Sequence, residues 1–155
     1  MSILGIDLGT GSVKAALVDD DGTVLAKAGQ TYSVVAPRPG WAETDPQEWL
    51  EATRAVAARV LEGQPVPSAV GFSGQMHGVV VVDADLRPLR PAILWADARS
   101  VDQAQAMAHD LTDDELSRLG SPAVTGFAAT TLAWLIAKEP EVMARAAFAL
   151  QPKDW

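Results

Sequence analysis

Leu4-Gly5-Ile6-Asp7-Leu8-Gly9-Thr10-Gly11-Ser12-Val13-Lys14 decides how this chain is read. An apolar run carries one acid, Asp7, to its end. Glycines then flank Thr10, and a second apolar run opens at Val13 with Lys14 inside it. Glycine lets the backbone turn tightly, so the pattern is strand, turn, strand. Consecutive N–H groups in such a turn can surround an anion, and a carboxylate at a strand end can hold a magnesium ion through water. Asp7 is therefore the candidate metal-organising residue, Gly9, Thr10 and Gly11 the candidate phosphate cradle, and Lys14 a neutralising cation. The same residues also describe a plain hairpin with glycines for turn geometry. The Walker and dinucleotide fingerprints both fail, because this loop leads into a strand and its glycine spacing differs.

Outward from that stretch, Ser2 to Leu8 and Val13 to Val18 are the two strands. Asp19-Asp20-Asp21-Gly22 turns tightly into a third run, Thr23 to Val35, giving an antiparallel meander. The aspartate run lacks the alternating ligand spacing of a calcium loop and reads as a solvated turn. Pro37, Pro39 and Gly40 break the strand. Asp45 caps a helix from Pro46 to Leu61, with Pro46 at the first helical position and Glu48 as capping-box partner. Its apolar positions Trp49, Leu50, Thr53, Val56, Ala57, Val60 and Leu61 form one face for a sheet. Gly63, Pro65 and Pro67 end it.

Ser68 to Ser73 reads as a short strand ending in Gly74-Gln75-Met76-His77-Gly78. Val79 to Val82 turns at Asp83-Ala84-Asp85 and returns through Pro91 to Trp95 as a second hairpin. Helices follow at Val101 to Leu111 and at Asp113 to Leu119, the latter capped by Thr112 with Glu115. A loop of Ser121, Pro122, Thr125 and Gly126 leads to a helix from Ala128 to Lys138, and Pro140 starts a last one to about Ala146. No strand is expected after these helices, so the chain reads as a truncated piece of a larger protein.

Composition narrows the function. The 155 residues are 48% hydrophobic and 21% charged, enough for a real core, and the formal net charge of −8 argues against a nucleic-acid partner. A small anion must be held by local N–H groups and a few cations. There is no cysteine, hence no disulfide or thiolate metal site. No apolar run approaches the ~20 residues of a membrane span, and the start carries no signal-peptide pattern, so the expected location is cytoplasmic and no membrane partner is expected.

Four ordered segments carry a resemblance: the Asp7 loop, Gly40-Trp41-Ala42-Glu43-Thr44-Asp45-Pro46, Gln75-Met76-His77-Gly78, and Arg90 to Arg99. The first resembles the phosphate loop of the ribonuclease H-like fold shared by actin, chaperone ATPases and sugar kinases. Together they resemble the N-terminal part of the FGGY carbohydrate kinases, nearest to the branch that acts on D-xylulose, over essentially all 155 residues. Pro152-Lys153-Asp154 also resembles a family segment.

The resemblance implies an α/β chain with a mixed sheet flanked by helices, forming an incomplete first domain over residues 1–155. It implies ATP and Mg2+ as cofactors and D-xylulose as substrate; separately, an uncovered domain edge or bared apolar face makes a homodimer or self-associating fragment the expected state. Asp7 then serves the metal and catalysis, and Gly9, Thr10, Gly11 and Lys14 the ATP phosphates. Gln75, Met76, His77, Trp95 and Asp97 meet the sugar. The family's general-base aspartate has no match here, and the second ATP-binding domain is absent, so the chain alone is expected to be inactive. A kinase of another ketose or polyol, or an actin- or chaperone-like nucleotide module, is the alternative.

Three readings stay local. Trp95, Asp97 and Arg99 fit either a sugar-pocket rim or an exposed ion pair at a helix start with the indole packed inside. Trp41 and Glu43 read as packing, and His109 as solvated.

Overall fold

The structure is a computed structural model that describes residues 1–120 and 122–155. Ser121, read as part of a loop, lies outside the described residues. The elements in order are β1 (Ser2–Leu8), β2 (Ser12–Asp19), β3 (Val24–Thr31), β4 (Glu43–Thr44), α1 (Pro46–Leu61), β5 (Ala69–Gly74), β6 (Val80–Val82), β7 (Ala92–Ile93), α2 (Val101–Asp110), α3 (Asp113–Leu119), α4 (Ala128–Lys138), α5 (Pro140–Met143) and β8 (Phe148–Leu150). They gather into two compact units. The first comprises Met1–Val34 and Asp45–Gln75, the second Val35–Thr44 and Met76–Trp155.

The first unit holds a four-stranded sheet of order β3-β2-β1-β5. The expected meander is present: β1 and β2 pair antiparallel, as do β2 and β3, while β5 lies parallel to β1 after the α1 crossover. Gly22, at φ 88°, makes the turn after β2, with its N–H donated to the Asp19 carbonyl. Strict alternation puts Leu4, Ile6 and Leu8 of β1 with Val13, Ala15 and Leu17 of β2 on a buried face. α1 covers that face with Trp49, Ala52, Val56 and Val60. Each fully buried aliphatic side chain contributes about 1.5–3 kcal/mol. The opposite face is open, and Ile3, Val70 and Phe72 are more than half exposed.

The start of α1 differs from expectation. Asp45 does cap it, accepting from the Gln47 N–H at 3.0 Å. Glu48 does not complete a capping box, because its Oε2 accepts from the Ser33 N–H at 3.0 Å, just after β3. A tertiary donor has replaced the local one. At α3 the capping box forms as expected, Thr112 and Glu115 each bonding the other's backbone N–H.

In the second unit, the Val79–Val82 segment and its return make only isolated bridges, Val79 to Ile93 and Val82 to Pro88. The full partners lie elsewhere: β6 pairs with β8, and β7 with β4. The strand β8 was not expected, since three residues after a short helix carry too little periodicity to announce a strand. The core gathers Val79, Val81, Ile93, Trp134 and Leu135. Among the described residues no helix is long and apolar enough to cross a membrane.

Candidate functional site

In the first unit Asp7 projects from the open face near the end of β1. Register places it beside Lys14 of β2 and Ser73 of β5, so three polar side chains share one face. Ser73 donates its hydroxyl to Asp7 Oδ1 at 2.7 Å. These residues, with Lys27, Gly71 and Phe72, line a broad open concavity of about 900 Å³.

The glycine turn is held from below. Gly9 donates its N–H to the Ser12 carbonyl at 2.9 Å, closing the hairpin. That donor is therefore spent on the turn, and Gly9 sets the loop's shape instead of offering its N–H to an anion. A Cβ there would stand 3.1 Å from the Ser12 carbonyl oxygen. Tyr32 secures the other side: its hydroxyl donates to the Gly9 carbonyl, and its N–H to the Gly11 carbonyl at 3.2 Å. Gly11 itself is exposed and Thr10 partly so. Burial, with the negative charge of Asp7 adding, pushes the Tyr32 phenol up to about 12. Sequence reasoning missed Tyr32, although it is the sole tyrosine. Nothing local signals a bond that spans 23 positions.

Gln75 lands differently from its expected place against a sugar. Its N–H donates to the Leu8 carbonyl at 2.8 Å and its amide to the Gly9 carbonyl at 3.4 Å. The parallel register of β5 with β1 brings it beside the glycine turn, where it is buried.

Magnesium usually keeps several waters and takes one or two carboxylates together with substrate phosphates. The exposed carboxylate of Asp7 fits such a single protein contact. Among the described residues no cluster of three or more metal-binding side chains supplies a cage.

The second unit carries Met76, His77, Trp95 and Asp97. His77 stands at φ 66°, and the Gly78 N–H returns to the Met76 carbonyl at 2.9 Å across it, a γ-type turn. A non-glycine residue in this region costs of order 1–3 kcal/mol, a strain that collects at functional sites. Gly78 lets the turn pack closely, since a Cβ there would meet the Pro152 ring at 3.0 Å and the Ile93 carbonyl at 3.3 Å. Met76 is 62% exposed and Trp95 52% exposed, so both offer contact surface.

Asp97 does not. It is 2% exposed and saturated: Oδ2 accepts from the Ala42 N–H at 2.6 Å and from Arg99 Nη2 at 2.8 Å, while Oδ1 accepts from the Arg99 backbone N–H and Nε. The expected rim carboxylate is an internal brace. Nor is the ion pair exposed with the indole packed inside: the Asp97–Arg99 pair is buried and Trp95 is half exposed.

The brace extends further. Arg99 Nη2 also meets Glu43 Oε1 at 2.7 Å, Arg90 pairs with the same oxygen, and Arg90 Nη1 donates to Glu139 Oε1 at 2.7 Å. The Arg99 guanidinium lies 3.6 Å from the Trp41 ring centroid, and Trp41 meets Trp134 edge-on. Packing was the expected role of Trp41 and Glu43, and they pack through charge. His109 is exposed, as expected.

Comparison with known proteins gives this geometry its family. Residues 2–155 match the FGGY family of carbohydrate kinases, N-terminal domain. The chain is 36% identical over 157 aligned residues to a xylulose kinase of Staphylococcus epidermidis, covering 99% of this chain and 31% of that protein. The structure of a xylulose kinase from Rhodospirillum rubrum superposes with a TM-score of 0.93 at 30% identity, over 98% of this chain and 32% of that one. A gluconate kinase from Lactobacillus acidophilus superposes at 0.91 with 25% identity, over 97% and 31%. This chain belongs to the FGGY family of carbohydrate kinases, and it spans about a third of the length of these relatives. The neighbours are sugar kinases, and the expected α/β class of ribonuclease H-like, actin-like ATPase type holds.

Proposed function

We propose that this chain is the N-terminal part of an ATP-dependent kinase that converts D-xylulose to xylulose 5-phosphate. The observation that carries the reading is its likeness, along nearly its whole length, to relatives named xylulose kinases. Asp7 organises the magnesium ion, while Thr10, Gly11 and Lys14 face the ATP phosphates and Gly9 shapes the turn. Bound Mg2+ would neutralise charge on the phosphates. Met76, His77 and Trp95 meet the sugar, with His77 offering hydrogen bonds to its hydroxyls. Gln75 and Asp97 act one step back, on the Gly9 carbonyl and on Arg99. The general base and the second ATP-binding domain belong to the remaining two-thirds of such a kinase, and a cytoplasmic location goes with this reading.

The test is a coupled ADP-release assay on the full-length kinase with D-xylulose, D-ribulose, glycerol and gluconate. The highest kcat/KM is expected for D-xylulose, and a preference for another acceptor would move the assignment to that substrate. This second reading draws support from the near-equal superposition on the gluconate kinase. In the same enzyme His77→Ala should raise KM for D-xylulose well above any change for ATP, because truncating the imidazole leaves a sugar hydroxyl unpaired. Asp7→Ala should depress turnover and magnesium dependence instead. The 155-residue chain alone should show no turnover. Its open apolar face, with Ile3, Val70 and Phe72, favours self-association, which sedimentation over a concentration series would detect.

A further inference from the structure

His77 is gripped from its side-chain end as well as through its turn. The Phe127 ring stacks on its imidazole, with centroids 4.0 Å apart and planes 23° from parallel. Phe127 is held there by the preceding residue. Gly126, buried and at φ 77°, lies so close to Trp95 that an added Cβ would stand 1.8 Å from the Trp95 carbonyl oxygen. No side chain fits at 126. The backbone of the exposed Trp95, the bare Gly126 and the Phe127 ring therefore form one path that ends on His77.

Stacking and hydrogen bonding use different parts of an imidazole. A ring partner covers one face, whereas donors and acceptors meet the nitrogens in the ring plane. Neither nitrogen of His77 has a hydrogen-bond partner among the described residues, so the stack fixes the plane without spending the edge. The two rings also line a cavity of about 130 Å³ with Met107, Leu119, Pro122 and Ala123. Without the Phe127 ring, the imidazole gains room to leave its position.

We propose that Phe127, seated by Gly126, is a positioning residue that sets the His77 imidazole for sugar recognition. The role rests on the reading of His77 as a sugar contact. Phe127 itself touches no reacting atom.

The chain offers a clean measurement, because it holds only two histidines, His77 and His109. In proton spectra of the 155-residue chain, the His77 ring protons should be displaced by the Phe127 ring current and show cross-ring contacts to it, with exposed His109 as internal reference. Phe127→Leu should return them toward the His109 positions, and Phe127→Tyr should keep them displaced. Unmoved His77 resonances in Phe127→Leu would overturn the proposal. In the full-length kinase, Phe127→Leu should raise KM for D-xylulose about tenfold, leaving KM for ATP and kcat within about twofold, and Phe127→Tyr should restore it. Loss of the ring shift with an unchanged KM would reduce the stack to packing and also sink the proposal. If Phe127→Leu does not fold, Phe127→Met serves the same comparison. A parent kinase that does not phosphorylate D-xylulose would instead remove the functional reading, and the ring-current result would stand or fall independently of it.

Discussion

Asp7 and Asp97 are both aspartates at the ends of apolar stretches, and the two units use them in opposite ways. Asp7 stays on the open face of its sheet, accepting from the Ser73 hydroxyl. Asp97 is sealed inside, with both oxygens taken by Ala42 and Arg99. The first unit buries almost no charge and builds its candidate site from exposed polar side chains, Asp7, Lys14 and Ser73, beside a glycine turn held by Tyr32. The second encloses Glu43, Asp97 and Glu139 with Arg90 and Arg99. The difference separates function from stability. An exposed acid can be changed at little cost to the fold, whereas a buried one whose partner remains leaves an uncompensated charge.

The largest effect is expected at the brace. Asp97→Ala should lower unfolding stability by about 3–5 kcal/mol, read as a fall in the denaturation midpoint. Replacing both partners, as in Asp97→Leu with Arg99→Met, should recover part of that loss. A loss below about 1 kcal/mol for Asp97→Ala would mean the pair behaves as a surface one and would erase the contrast between the units.

Tyr32 comes next. Tyr32→Phe removes the bond to the Gly9 carbonyl and should cost about 1 kcal/mol. The wild-type pH profile carries a sharper signature. The folded phenol is raised above its ordinary value of 10.0 to about 12, so its contribution is fully present below pH 10 and is lost as pH climbs toward 12. Since Tyr32 is the only tyrosine, ultraviolet titration reads this group directly. A midpoint near 10 in the folded chain would mean the phenol is not buried beside Asp7, and Tyr32→Phe should remove the pH-dependent loss in that window.

The smallest stability effect is expected at Asp7. Asp7→Ala should change unfolding free energy by no more than about 0.5 kcal/mol, measured by the same denaturation. A loss as large as that of Asp97→Ala would place Asp7 in the structural class and break the comparison from the other side.

Local pattern made much of the first unit legible. Alternation in β1 and β2, the Asp19-to-Gly22 turn and the Asp45-Pro46 start of α1 are short-range signals, and the sheet and helix follow them. The capping box at Thr112 and Glu115 was legible for the same reason. Longer-range competition was not: Glu48 gave up its local partner for Ser33, and β6 gave up full pairing with its neighbour for β8. At the candidate sites, Asp7, Met76, His77 and Trp95 lie where a ligand could reach them. Gln75 and Asp97 turn inward, and Tyr32, Ser73 and Phe127 were not anticipated.

By itself the sequence determined the strand-turn-strand around Asp7, the mixed α/β order and the set of polar residues from which a kinase site can be made. Periodicity, turn chemistry and caps act over a few residues, and that is enough for each. Only the tertiary structure decided which of those residues face outward, which serve as braces, and that Phe127 lies on His77. Those outcomes depend on contacts between positions tens of residues apart, where burial and shared hydrogen bonds outweigh what any local segment prefers.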